Sequence, residues 1–139
     1  MKFPIQVAWY EAVTPAGFRK TAIALSSDAS VVTAWGNDFE FETIFSRQVE
    51  AHGKPGDVVW GISTSGNSKN VVRALQAARK IGMQTVGLTG EGGGLVGQHC
   101  DVLMAVPLKS TPDIQEIHLM TYHHICAHVE SALFAVHPV

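Results

Sequence analysis

The chain has 139 residues, enough for one domain of ordinary size. Apolar residues make up 46% and charged residues 16%, which supports a real core and excludes a disordered chain. With 10 basic and 12 acidic residues the formal net charge is −2, and no basic run exceeds Arg79-Lys80, so no nucleic-acid partner is expected.

The start, Met1-Lys2-Phe3-Pro4, lacks the apolar run and small-residue cleavage site of a signal peptide. Phe3, Ile5, Val7 and Trp9 alternate with other residues, which is strand periodicity. Pro4 interrupts that run and lacks the N–H that a central strand must donate. The stretch from Tyr10 to Thr21 barely reaches the length of a parallel crossover and contains Pro15 and Gly17. The rival reading is that Phe3 to Trp9 slot into the vacant central position of the sheet; the expectation preferred on these grounds is that residues 1–20 form an atypical N-terminal segment that supplies no central strand, with the domain proper at 21–139.

Ala22-Ile23-Ala24-Leu25 is a short apolar run ending in Ser26-Ser27-Asp28. Gly36-Asn37-Asp38 reads as a turn. From Glu42 to His52 apolar residues fall at helical spacing, and Gly53 closes the segment. After the Pro55-Gly56 turn, residues 57–62 read as a fully buried strand. Residues 70–81 predict a helix stopped by Gly82. Thr85-Val86-Gly87-Leu88 and Val102 to Val106 are further short strands, the second stopped by Pro107. One long helix follows from about Pro112 to Phe134, with Pro112 in its first turn. Cys100 and Cys126 stand far apart in no metal spacing, which fits a reducing, cytoplasmic setting. No apolar run approaches the roughly 20 residues that span a bilayer, so no membrane contact is expected.

Alternating strands and helices with short buried strands predict an α/β fold, a parallel sheet covered on both faces. Ligands in such sheets bind beyond the carboxyl ends of the strands. Both polar loops, 63–68 and 89–94, sit at such ends. The first, Ser63-Thr64-Ser65-Gly66-Asn67-Ser68, places four hydroxyls between a buried strand and a helix start. A helix N-terminus offers unpaired N–H groups and a partial positive charge, so this loop suits a phosphate. The plainer alternative is a turn in which Ser68 caps the helix and the other hydroxyls are solvated. The loop lacks the Gly-Lys-Ser/Thr ending of a Walker motif. The glycine stretch 90–94 reads as a flexible turn. On the last helix, His124 and His128 share a face as metal-binding pairs do, although most such pairs are solvated. Gln115 and His123 lie about 80° apart around an ideal helix, and His118 about 140° from His123.

These residues together resemble the phosphoheptose isomerases of the sugar isomerase domain family. The resemblance rests on Gly61 to Ser68, Gly36-Asn37-Asp38, Phe45 to Glu50, Leu88-Thr89-Gly90 and Thr111 to His118, in order along residues 21 to 134. It implies a flavodoxin-like parallel sheet flanked by helices. It also implies conversion of sedoheptulose 7-phosphate to a manno-heptose 7-phosphate, toward bacterial lipopolysaccharide or other surface glycans. By this resemblance Ser63, Thr64, Ser65 and Ser68 hold the phosphate of the sugar-phosphate substrate, and Asn37 and Asp38 contact the sugar. Gln115 and His123 line the reacting end, His123 as a proton carrier, and both are zinc ligands in zinc-bearing members. Members are usually homotetramers with sites between subunits.

The front of the chain departs from that pattern. Relatives carry a first strand, an asparagine-glycine-glycine-serine loop, and a helix bearing a histidine and an acid–base glutamate. Residues 1–20 have no such loop and no histidine, and Glu11 matches no motif. The expectation is therefore a fold without its first strand and preceding helix, a partial metal site of Gln115 and His123 that holds zinc weakly or not at all, and little or no isomerase activity for this chain alone. A second class stays open, a non-enzymatic binding module like the replication-initiator-associating proteins, whose last helix resembles residues 118–134.

Overall fold

Strand β3, Val58–Ser63, begins after the Pro55-Gly56 turn, where Gly56 takes a left-handed φ of 88° and donates its N–H to the Gly82 carbonyl. The structure, a computed structural model, describes residues 7–10 and 22–134. Alternate residues of β3 point to opposite faces, so Val59, Gly61 and Ser63 are buried while Val58, Trp60 and Ile62 are partly covered. The buried face meets helix α3, Lys69–Ile81, whose Val71, Ala74, Leu75 and Ala78 recur at helical spacing and are fully buried. Gly82 ends α3 in the left-handed conformation and donates to the Ala78 and Arg79 carbonyls, as its sequence position predicts.

Strand β4, Gln84–Thr89, pairs parallel with β3, and β5, Val102–Ala105, pairs parallel with β4. Helix α2, Ile44–His52, follows a short 3-10 turn over Phe41–Thr43 and packs on α3 through Ile44, Phe45 and Val49. Buried Gln48 is satisfied by donating to the Leu25 and Ile44 carbonyls at 3.0 and 2.9 Å. That bond ties α2 to the end of strand β2, Ala22–Ala24. Helix α5, Thr111–Phe134, closes the described chain and buries Ile114 and His118, while Leu119 and Met120 stay 46% and 53% exposed.

Two expectations are corrected. No parallel strand stands beside β3 on its free edge, but the position is not vacant. Strand β1, Val7–Tyr10, fills it and runs antiparallel to both neighbours, pairing Ala8 with Trp60 and with Ala24. The sheet is thus five-stranded and mixed, in the order β2-β1-β3-β4-β5. The reason is connectivity: an antiparallel neighbour needs no crossover helix, so the short span before β2 suffices. Pro4 lies outside the described residues and does not interrupt the paired segment. The second correction concerns Gly36-Asn37-Asp38, which forms the last turn of helix α1, Ala29–Asp38, instead of a free turn. Asp28 starts this helix by accepting the Ser30 and Val31 N–H groups at 3.0 and 3.1 Å.

Helix α3 approaches the sheet closely at Gly61, where a Cβ would stand 2.8 Å from Val71 Cγ1. Gly61→Ala is therefore expected to destabilise the fold by about 1–3 kcal/mol through overpacking. Urea denaturation of the variant beside the parent chain measures it, and an unchanged midpoint contradicts the packing account.

Candidate functional site

The loop between β3 and α3 turns its hydroxyls inward on one another. Ser63 Oγ lies 2.8 Å from Ser68 Oγ and 3.4 Å from Ser65 Oγ. Ser65 Oγ also accepts the Asn67 N–H at 3.1 Å. Ser68 occupies the N-cap position of α3, yet its side chain makes no capping bond to the helix. The plain capping role is therefore not what Ser68 does; its hydroxyl is spent on Ser63. In the first turn of α3, the Asn70 side chain satisfies Val71 N–H, and the Lys69 and Asn70 N–H groups find no acceptor among the described residues. No acidic residue stands in that turn. The result is a cluster of donors beside the positive end of a 13-residue helix. Lys69 itself bends away to Glu42 at 2.7 Å, an exposed ion pair.

The glycine stretch 90–94, expected to be a plain flexible turn, instead packs on the serine loop. Gly92, Gly93 and Gly94 do take left-handed φ values of 78°, 76° and 55°. Gly66, at φ 66°, has no room for a Cβ against the Gly93 backbone, and a Cβ on Gly94 would stand 2.6 Å from Gly66 O. Across this seam Gly90 N–H donates to Thr64 O at 3.0 Å and Val96 N–H to Gly66 O at 2.8 Å. Thr64 thus joins the site through its backbone, with its side chain half-buried.

The other candidate residues are more dispersed. Asn37 and Asp38 are exposed at the end of α1, where Asn37 Nδ2 donates to Asp38 Oδ1 at 3.0 Å. Gln115 is half-buried on the first turns of α5, and His123 is exposed beside Tyr122. None of these four hydrogen-bonds the serine loop. His124 and His128 are exposed, and among the described residues no three His, Cys, Asp or Glu converge as a metal site would require.

The histidine that is built in is His118, the last residue of the Thr111 to His118 segment, to which the sequence assigns no role of its own. It is 2% exposed, and its ring lies against the Thr89 carbonyl at 3.1 Å. A carbonyl only accepts, so Nε2 carries the proton, and Nδ1 is buried without a partner among the described residues. Burial holds the imidazole below its ordinary value, opposed by the Thr89 carbonyl, which favours the charged form. This contact and the approach of Ile114 to Gly90 anchor α5 at the carboxyl end of β4, next to the serine loop. Its place four residues after Ile114, on the same helix face, was the available signal.

An α/β domain whose hydroxyl-rich loop joins a buried parallel strand to a helix start defines the class. The chain belongs to the SIS domain family, whose model matches residues 4–90. It is 54% identical over 114 residues to the phosphoheptose isomerase of Crocosphaera subtropica, a match covering 82% of this chain and 58% of that protein. The phosphoheptose isomerase of Rhodospirillum rubrum is 51% identical over 111 residues, covering 80% of this chain and 59% of that one. Among solved structures, the phosphoheptose isomerase of Neisseria gonorrhoeae superposes with a TM-score of 0.77 at 46% identity, over 78% of this chain and 61% of that chain. The chain thus spans about three-fifths of the length of these relatives. The expected fold class and family resemblance both hold.

Because His118 binds a proton less readily folded than unfolded, stability is full above the ordinary imidazole value of about 6.5 and declines as pH falls below it. Thermal melts between pH 7 and pH 5 are expected to fall more steeply in the parent chain than in His118→Gln. Parallel slopes count against a buried neutral ring.

Proposed function

We propose that Ser63, Thr64, Ser65 and Ser68 bind the phosphate of a sugar phosphate, and that this chain serves the isomerisation of sedoheptulose 7-phosphate to D-glycero-D-manno-heptose 7-phosphate. One observation carries the phosphate reading: three serine hydroxyls converge where α3 leaves its first N–H groups without acceptors. Hydroxyls can rotate to donate to whatever anion arrives, and the helix terminus favours negative charge. The relatives' names supply the reaction, and the shared fold supports carrying it to this chain.

An aldose–ketose isomerase moves a proton between adjacent carbons through an enediolate, so it needs a proton carrier and something to stabilise the oxygens. Gln115 and His123, on the helix anchored beside the serine loop, are the residues proposed for the reacting end. Imidazole suits proton transfer near neutrality. Asn37 and Asp38 are proposed to contact the sugar. The phosphate grip contributes binding energy far from the reacting carbons and fixes their orientation.

Zinc belongs to the family picture, and Gln115 and His123 are the residues that would contribute to it. A neutral amide and one imidazole do not by themselves fit a zinc shell, which takes three or four protein ligands. No step is assigned to a metal, and weak or no zinc binding is expected of this chain. Zinc retained stoichiometrically through dialysis, and lost in His123→Ala, is the result that overturns this.

The remaining readings are of setting. A homo-oligomer, a tetramer as in the family, is proposed as the working form. No helix among the described residues is long and apolar enough to cross a membrane, and a cytoplasmic location is proposed.

Two measurements test the function. Calorimetric titration with sedoheptulose 7-phosphate is expected to show affinity falling at least about tenfold in the Ser65→Ala, Ser68→Ala double variant, since each bond to a charged group is worth about 1.5–3 kcal/mol. Equal affinity refutes the site. In a coupled isomerase assay, turnover by this chain is expected to lie about 10²–10⁴-fold below that of a full-length relative, because His123 is the one acid–base group assigned here. Turnover at the relatives' rate contradicts that assignment.

A further inference from the structure

Helix α4 is a four-residue turn, Gly94–Gly97, that begins with an unmet need. Its N-cap position is Gly93, which has no side chain to receive the first N–H groups. Those donors are met from another part of the chain. Leu95 N–H donates to Asn67 Oδ1 at 3.1 Å, and Val96 N–H donates to Gly66 O at 2.8 Å. The Asn67 amide thus caps a helix 28 residues further along. Its other end, Nδ2, donates to the Ser65 carbonyl at 2.8 Å, while its backbone N–H donates to Ser65 Oγ at 3.1 Å. Asn67 is therefore bonded on one side to the residue carrying a phosphate-loop hydroxyl and on the other to the glycine loop at the end of β4.

We propose that Asn67 is a positioning residue for the phosphate loop, which it holds in its binding geometry by bridging Ser65 to the start of α4. The inference rests on the reading of the serine loop as a phosphate site. The Asn67 amide spends its oxygen on Leu95 N–H and one Nδ2 donor on the Ser65 carbonyl, so the role proposed for it acts through Ser65. The glycines across the seam act with it: Gly94 lies so close that a Cβ there would stand 2.9 Å from Asn67 Oδ1. Substitution at Asn67 leaves every loop hydroxyl in place but releases Ser65 to sample other turns. The cost then falls on binding, since an unbridged loop must be ordered when the anion arrives.

The test uses the whole chain and inorganic phosphate as probe, with affinity and melting temperature measured together. Asn67→Ala removes both amide bonds and is expected to lose roughly three- to tenfold in phosphate affinity while melting within a few degrees of the parent. Asn67→Asp keeps the acceptor for Leu95 and loses the donor to Ser65. It also brings a negative charge to the loop, so it is expected to bind more weakly still. If both variants bind as the parent does, the proposal is overturned and the phosphate site stands. If the parent itself fails to bind phosphate, the site reading falls and takes this proposal with it. Should Asn67→Ala fail to fold, the neutral Asn67→Ser, which loses the amide bond to Ser65 without adding charge, decides: binding equal to the parent overturns the bridge, and weakened binding supports it.

Discussion

The Gly66 carbonyl accepts the Val96 N–H at 2.8 Å, and that contact requires two backbones to lie where no side chain fits. Gly66 on one strand-end loop and Gly93 and Gly94 on the next all hold left-handed φ values, so the seam is glycine on both sides. Everything distinctive about the site follows from it. The two loops cease to be independent surface turns and become one two-layered wall at the carboxyl ends of β3 and β4. Thr64, Gly66 and Asn67 spend their polar groups on the seam, which leaves Ser63, Ser65 and Ser68 to face one another.

That division of labour supports the anion site proposed for a loop with no lysine of its own. The first turn of α3 has neither an N-cap side-chain bond nor an acidic residue, and its Lys69 and Asn70 N–H groups find no acceptor among the described residues. Lys69, at the start of α3, is engaged by Glu42, which also faces Arg73 at 3.9 Å. These exposed pairs contribute little to stability, but they fix the turn before α2 against the start of α3. Preorganised neutral donors, placed by a rigid sheet and helix, replace a mobile charged side chain.

The sheet edge shows how forgiving that scaffold is. A central position beside β3 must supply hydrogen bonds to an otherwise bare edge. Val7–Tyr10 supplies them in the opposite direction from the strands on the far side of β3. Antiparallel pairing satisfies the backbone as well as parallel pairing and frees the connection from a crossover helix. The strand periodicity of Val7 and Trp9 was a sound signal; direction and placement were not encoded in it.

Sequence by itself determined the local elements. Period-2 and helical patterns located β3, α3, β4, β5 and α5 to within a residue or two, and Gly53 and Gly82 marked helix ends because glycine alone tolerates the required geometry or leaves the chain free to turn. It also placed the hydroxyls of the serine loop between a buried strand and a helix start, the position that motivates the proposed phosphate site. Only the tertiary structure decided what those hydroxyls face. Asp28 starting α1 went unread because that helix buries no residue and so leaves no strong apolar stripe. The glycines at 90–94 looked like a loose turn because close backbone approach is a relation between segments 28 residues apart, as at Asn67 and Leu95, and no local pattern records it. His118 and His123 were equal as letters on one helix, and burial against Thr89 separated them. Local propensity is written residue by residue, whereas solvent exclusion and the partner of each polar group depend on the whole packed chain.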